Sequence, residues 1–251
     1  MMLPDPGAPM RVPLALRPLS LELGTQLHAD GSCTIKQGNT HVLCAANLIP
    51  GLPEEAKGAA VMGWVTAEFG ILPSATHRRT DREVGTGKQQ AKTVEVQRLL
   101  THSLRQAVDL SVVGNRTLQV DCDVLNADGG TRAAALTGAW VACALALRKH
   151  GLEAAVRRQV AALTLGVVEH GQGRRGMVLD LDYAEEQAAA ILCYLVASRD
   201  LQGGETEIVE FQSAGEGRPF PRSEGAALLD LGLRGCEKLM EIQTQRWEFF
   251  Q

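Results

Sequence analysis

The chain has 251 residues and a mass of 26.9 kDa, enough for one large domain or two small ones that bury about 70–75% of the unfolded surface. Hydrophobic residues at 45% and charged residues at 22% are ordinary globular values and exclude wholesale disorder. The 25 Lys and Arg against 29 Asp and Glu leave a net charge of −4, which argues against a globally basic nucleic-acid binder and leaves a local basic patch open.

Residues 1–10, MMLPDPGAPM, hold three prolines and one glycine and read as a flexible leader to a folded region over 11–251. They show neither a basic n-region nor an apolar h-region. The apolar run Ala133–Leu147 is fifteen residues, short of the roughly 18–20 a bilayer requires. The expectation is a soluble, cytoplasmic protein with no membrane partner.

Strand-like runs at Ser32–Gln37 and His41–Ala46 flank Gly38-Asn39-Thr40, a hairpin signal, and Gly63–Phe69 is a further strand candidate. Residues 76–92, THRRTDREVGTGKQQAK, then change character. Arg78, Arg79, Arg82, Lys88 and Lys92 stand against only Asp81 and Glu83, so this polar loop is locally basic within an acidic chain. It is suited to gripping a phosphodiester backbone, though a solvated loop with internal ion pairs reads the same way. GTGK at 85–88 is no P-loop. Gln89 stands where a magnesium-binding Ser or Thr belongs, and the earlier glycine is missing.

The loop feeds a helix in which Val96, Leu100, Leu104 and Val108 recur at i, i+4 steps. Arg116–Val124 alternates strictly, with Leu118, Val120, Cys122 and Val124 on one face and Gln119, Asp121 and Asp123 on the other, a half-buried strand. It runs through ADGGTR into an apolar helix from Arg132 to Lys149 that stops at Gly151. Asp128-Gly129-Gly130-Thr131-Arg132 thus sits at a strand-to-helix junction. Glycines let the backbone approach a ligand, the helix N-terminus offers free N–H groups, and Thr131 and Arg132 add a hydroxyl and a guanidinium fork for phosphate oxygens. The same spacing also describes an ordinary glycine turn.

The second half repeats the pattern. Strands are expected at Val160–Val168, Met177–Tyr183, Ala190–Ala197 and Ile208–Gln212, joined by GQGRRG and DLQGGE loops. A closing helix is expected over Ser223–Trp247 with a serine cap. Asp180, Asp182, Glu185 and Glu186 place four carboxylates within seven residues, and strand alternation would set Asp180 and Asp182 on one face, a possible divalent-ion site or a charged strand edge. The six cysteines form no CxxC pair and read as reduced core thiols; the histidines have no ligand spacing. Strands followed by a long helix in each half predict an α+β fold, one domain with mixed sheets.

These segments together resemble the ribonuclease PH family of phosphate-dependent 3′→5′ exoribonucleases. The resemblance runs from Arg17-Pro18 and DGSCTIKQGNTHVLC through GWVTAEFGILPSATHRRTDRE, GKQQAKTVEVQRLL, SLRQAVDL and VDCDVLNADGGTRAAALTGAWVA. It continues at LDLDYAEEQAA and, more loosely, EFQSAGEGRPF. It implies a ribosomal-protein-like βαβα fold assembled as a homohexameric ring. It also implies phosphorolytic trimming of tRNA precursors, with inorganic phosphate as co-substrate, nucleoside diphosphate as product and Mg²⁺ assisting.

By the same resemblance, phosphate falls on Gly130, Thr131 and Arg132, and on Lys92 where the family has an arginine. A lysine there keeps the charge and loses the fork, so weaker phosphate affinity is expected. Arg78, Arg79 and Arg82 match the set that guides RNA. Asp180 and Glu186 fall in the catalytic region, and Asp180, Asp182 and Glu186 are the implied metal ligands. The family pattern E-E-D-S-A-A-x-V-D-M-N is altered, with Glu186 at its first aspartate and Leu192 at its second. Leucine can neither bind metal nor move a proton. Three readings follow: a working exoribonuclease, a catalytically impaired RNA- and phosphate-binding ring subunit, and a small-molecule phosphate enzyme on the same scaffold.

Overall fold

In the computed structural model, which describes residues 13–56, 62–170 and 174–248, the alternating stretches of the first half assemble into a five-stranded sheet. Its strands are β1 (Leu19–Leu23), β2 (Gly31–Gln37), β3 (Thr40–Pro50), β4 (Trp64–Ile71) and β5 (Arg116–Asn126), in the order β1-β2-β3-β5-β4. Only β4 and β5 pair in parallel. A parallel pair needs a crossover, and here it carries α1 (Glu83–Thr86), α2 (Ala91–Ala107) and α3 (Leu110–Val113). Val96, Leu99, Leu100 and Leu104 bury one stripe of α2. Val108 lies past the helix end in extended backbone, bridging to Val156 rather than continuing the stripe.

The second sheet is antiparallel throughout, ordered β7-β6-β8-β9 from β6 (Arg158–His170), β7 (Arg174–Leu179), β8 (Ala189–Asp200) and β9 (Glu207–Ala214). Between the sheets runs α4 (Thr131–Lys149), which touches β2, β3 and β5 on one side and β6 on the other. A helix flanked on both sides must be apolar all round, and fourteen of its 19 residues are buried. Its alanines and glycine allow close approach: a Cβ on Gly31 would meet the Ala142 carbonyl oxygen at 2.2 Å. The last helix, α6 (Arg222–Glu248), covers β6 and β8. Gln243 of α6 stitches the layers together, its amide donating to the carbonyls of Thr137 on α4 and Val160 on β6, both at 3.0 Å. The architecture is the α+β arrangement that the sequence predicts, with the parallel β4–β5 pair making the first sheet the mixed one.

Two local expectations change. The strand expected to reach Tyr183 stops at Leu179, because Asp180 takes a left-handed φ of +58° and Tyr183 opens a short helix, α5 (Tyr183–Ala188). Ser223 lies inside α6 rather than capping it; the Arg218–Glu224 ion pair, 2.8 Å, braces that helix start instead. The expected leader at 1–10 lies outside the described residues. All six cysteines are free and buried, and no helix among the described residues is long and apolar enough to cross a membrane.

The tight β2–α4 contact is testable. Gly31→Ala forces a methyl group into the α4 backbone and should lower stability by about 2 kcal/mol or more, read as a shift of the urea midpoint at unchanged slope.

Candidate active site

β5 ends at Asn126 and α4 begins at Thr131, so the turn between them aims the helix N-terminus. Gly129 and Gly130 both adopt left-handed backbone, with φ of +76° and +66°. A Cβ on Gly129 would lie 2.5 Å from the Asp182 carbonyl carbon, so only glycine fits where the turn presses on residues 181–183. Behind the turn sits the guanidinium of Arg17. Its Nη1 donates to the Asp128 carbonyl at 2.6 Å, and its Nη2 to the Gly129 carbonyl at 3.4 Å and to Asp180 Oδ1 at 2.7 Å. The Arg17 main-chain N–H donates to Asp180 Oδ2 at 2.8 Å. Thr40 completes the brace, its hydroxyl donating to the Gly129 carbonyl at 2.6 Å and accepting from the Asp128 N–H at 3.0 Å.

In front of the turn opens a cavity of about 790 Å³, and its walls include Lys92, Gly130, Thr131, Arg132 and Glu186. The fold therefore brings together the four expected phosphate contacts, although α2 and α4 are separated by a whole strand. Lys92 lies in the first turn of α2, where Glu83 accepts from the Gln90 N–H and the Thr93 hydroxyl and so holds that helix end. The first-turn N–H groups of α4 have no helical acceptor, and the helix dipole adds positive potential. Glu68, Asp121 and Asp123 also line the cavity. Burial, then the charges of Glu68 and Asp123, pushes the Asp121 carboxyl above the ordinary aspartate value.

The expected metal trio is not assembled. Both oxygens of Asp180 are engaged by Arg17. Asp182 caps α5, accepting from the Glu185 N–H at 2.8 Å in a reciprocal capping box. Glu186 Oε1 accepts from the Gly130 N–H at 2.8 Å. The alternation argument fails because these residues are not in a strand, and among the described residues no three His, Cys, Asp or Glu side chains gather as a metal-holding group. As placed, the three carboxylates do not fit a bound Mg²⁺. Glu186 alone of the three lines the cavity. Burial raises its pKa above the ordinary glutamate value, opposed by the Gly130 N–H and by the charges of Arg17, Arg132 and Lys92.

The basic loop divides. Arg82 lines the cavity; Arg78 and Arg79 are exposed outside it, with Arg79 paired to Asp81 at 3.1 Å. His77 anchors the loop to α5 through its ring contact with Tyr183, centroids 4.9 Å apart.

Arg17 and Thr164 are site residues that the pattern reading did not assign. Each had a signal: Arg17 is a lone charge within VPLALRPL, and Thr164 a lone hydroxyl within VAALTLGVV. The Thr164 hydroxyl is buried without a hydrogen-bond partner among the described residues and lies 3.3 Å from where a Gly130 Cβ would stand. Leu192 also lines the cavity, in the position where the family pattern carries its second aspartate.

Residues 15–149 match the model of the 3′ exoribonuclease family, domain 1. Among solved structures, the chain is similar to rice (Oryza sativa) Rrp46, with 22% identity and a TM-score of 0.70 over 94% of this chain and 97% of that one. It is also similar to a chain of an Archaeoglobus fulgidus exosome with RNA bound to the active site, with 21% identity and a TM-score of 0.71 over 92% and 90%. At these identities the likeness is one of fold.

Arg17→Met leaves Asp180 buried without its cation and should cost about 3–5 kcal/mol, measurable by urea unfolding. Glu186 titrates with a raised folded pKa, so the folded state holds its proton where the unfolded state has lost it. Its contribution is greatest at low pH and declines as pH rises from the unfolded value through the folded one. Glu186→Gln keeps an acceptor for Gly130 and should flatten that part of the melting temperature against pH profile, gaining relative to wild type toward neutral pH.

Proposed function

This chain belongs to the 3′ exoribonuclease family, and we propose that it degrades RNA from the 3′ end by phosphorolysis, trimming tRNA precursors in the cytoplasm as a homohexameric ring. One observation carries the reading. Lys92, Arg132 and the α4 N-terminus meet Glu186, a carboxyl whose pKa burial raises, inside one cavity. A cationic, dipolar cradle beside an acid of raised pKa is what attack by phosphate on a phosphodiester requires.

On this reading inorganic phosphate lies against the N–H groups and hydroxyl of Thr131 and the charges of Arg132 and Lys92. One of its oxygens attacks the phosphorus of the terminal nucleotide. The bond from that phosphorus to the 3′ oxygen of the preceding ribose breaks, and that oxygen takes the Glu186 proton. The products are a nucleoside diphosphate and an RNA one nucleotide shorter. Arg82 stands where the incoming strand crosses the cavity rim. The carboxylates as placed do not fit Mg²⁺, so charge neutralisation is assigned to Lys92, Arg132 and the helix dipole. That the Archaeoglobus exosome, which contains a chain of the same fold, has RNA bound to the active site supports RNA as the substrate class. Leu192 favours a second reading, an RNA- and phosphate-binding ring subunit with impaired catalysis, because it removes a carboxylate from the cavity wall.

A tRNA bearing a short 3′ extension separates the two. Nucleoside diphosphates released only in the presence of phosphate establish phosphorolysis; an RNA that is bound but never shortened establishes the binding subunit. Arg132→Ala should lower phosphate-dependent turnover by about 10²- to 10³-fold. Leu192→Asp restores a second acid and should raise kcat by about tenfold or more, and an unchanged rate favours the binding subunit.

A further inference from the structure

Arg132 is held by two neighbouring strands of the second sheet rather than by its own helix. Its Cζ lies 4.0 Å from the centroid of the Tyr194 ring on β8. Its Nη1 donates to Gln212 Oε1 on β9 at 3.3 Å. The two contacts belong together, because Tyr194 and Gln212 are directly paired in the β8–β9 register. The ring therefore covers one face of the guanidinium while the amide fixes one edge. Gln212 is itself tethered, its amide donating to Glu210 Oε1. Among the described residues Gln212 is the only hydrogen-bond partner of the Arg132 guanidinium, which leaves most of the donor fork for an anion.

Tyr194 is fully buried, and its hydroxyl has no hydrogen-bond partner among the described residues. Hydrogen bonding is therefore not what an aromatic residue supplies at this position; an unpaired buried hydroxyl is a cost. Burial pushes the phenol well above its ordinary value, so the ring stays neutral. What faces Arg132 is a neutral, fully desolvated π-surface, the setting in which a cation over an aromatic ring is held most firmly. Leu192, two residues earlier on the same strand face, extends this apolar floor into the cavity.

We propose that Tyr194 is a positioning residue for the phosphate site: its ring, with Gln212, pre-orients the Arg132 guanidinium so that phosphate binds without first ordering that side chain. The inference rests on the phosphate reading above and adds the element that sets affinity. A long arginine left free on a helix end loses rotamer entropy each time it clamps an anion; one already stacked and tethered does not. Here the second sheet supplies to Arg132 an order that Lys92, exposed on α2, lacks.

The test is phosphate titration calorimetry on the full chain, together with trimming kinetics against phosphate concentration. Tyr194→Phe keeps the ring and should bind phosphate as the wild type does. Tyr194→Leu should weaken phosphate binding on the order of tenfold, raising KM for phosphate while kcat stays within about twofold. Should the leucine variant fail to fold, Tyr194→pentafluorophenylalanine retains the ring shape with its charge distribution reversed, and should show the same loss. Equal phosphate affinity in the wild type and in every folded variant overturns the proposal. So does a loss in Tyr194→Phe equal to that in Tyr194→Leu, which would assign the effect to the hydroxyl. No phosphate binding by the wild type overturns the cradle itself and this inference with it, an outcome distinct from binding that ignores Tyr194.

Discussion

A buried ion pair between Arg17 and Asp180 is the contact on which the site depends. The two residues are 163 positions apart, and each side chain is almost wholly enclosed, at 6% and 1% exposure. Burying both charges carries a desolvation cost that Coulomb attraction alone does not offset. Here the carboxylate accepts two hydrogen bonds, and the guanidinium gives two more to the carbonyls of the Asp128–Gly129 turn. The pair thus joins the chain entering β1, the turn before α4 and the segment after β7. The Leu179 N–H adds a backbone bond to the Pro13 carbonyl at 2.7 Å, laying the entering chain against the second sheet. Two sheets and the helix between them are locked at one corner, and that corner is the back wall of the cavity.

The front of the same corner is electrostatically lopsided. Positive potential from Lys92, Arg132 and the α4 N-terminus faces the acidic patch of Glu68, Asp121 and Asp123. Between them stands Glu186, spent on the Gly130 N–H and raised in pKa by burial. With Leu192 rather than an aspartate at this point of the wall, β8 contributes no carboxylate to the cavity. That balance suits tight anion binding better than fast proton transfer, and it separates the two functional readings of a chain whose family is a family of exoribonucleases.

Much of this was legible in the residues. Strict alternation along Arg116–Val124 located β5, and the uncharged run at Ala133–Leu147 announced a helix buried on every side. The glycine pair before Thr131 marked a close backbone approach, and the approach is there, against residues 181–183. The acidic stretch was misread as strand because alternation over Asp180, Leu181 and Asp182 is shared by a strand end and by a left-handed residue followed by a helix cap. Nothing local separates the two. The choice was made by Arg17, which binds Asp180 at both oxygens and turns its backbone out of the sheet.

By itself, then, the sequence determined most element types, the α+β class, the buried thiols and the glycine turn before α4, because each depends on periodicity or on backbone freedom within a few positions. The tertiary structure decided which charges meet. It drew Lys92 to Gly130 and Arg132, left Arg78 and Arg79 outside the cavity, and took Asp180 and Asp182 away from any shared ligand. It also laid Arg132 on Tyr194. Such pairings cross tens to more than a hundred residues, and they are set by how α4 fits between two sheets rather than by any spacing along the chain.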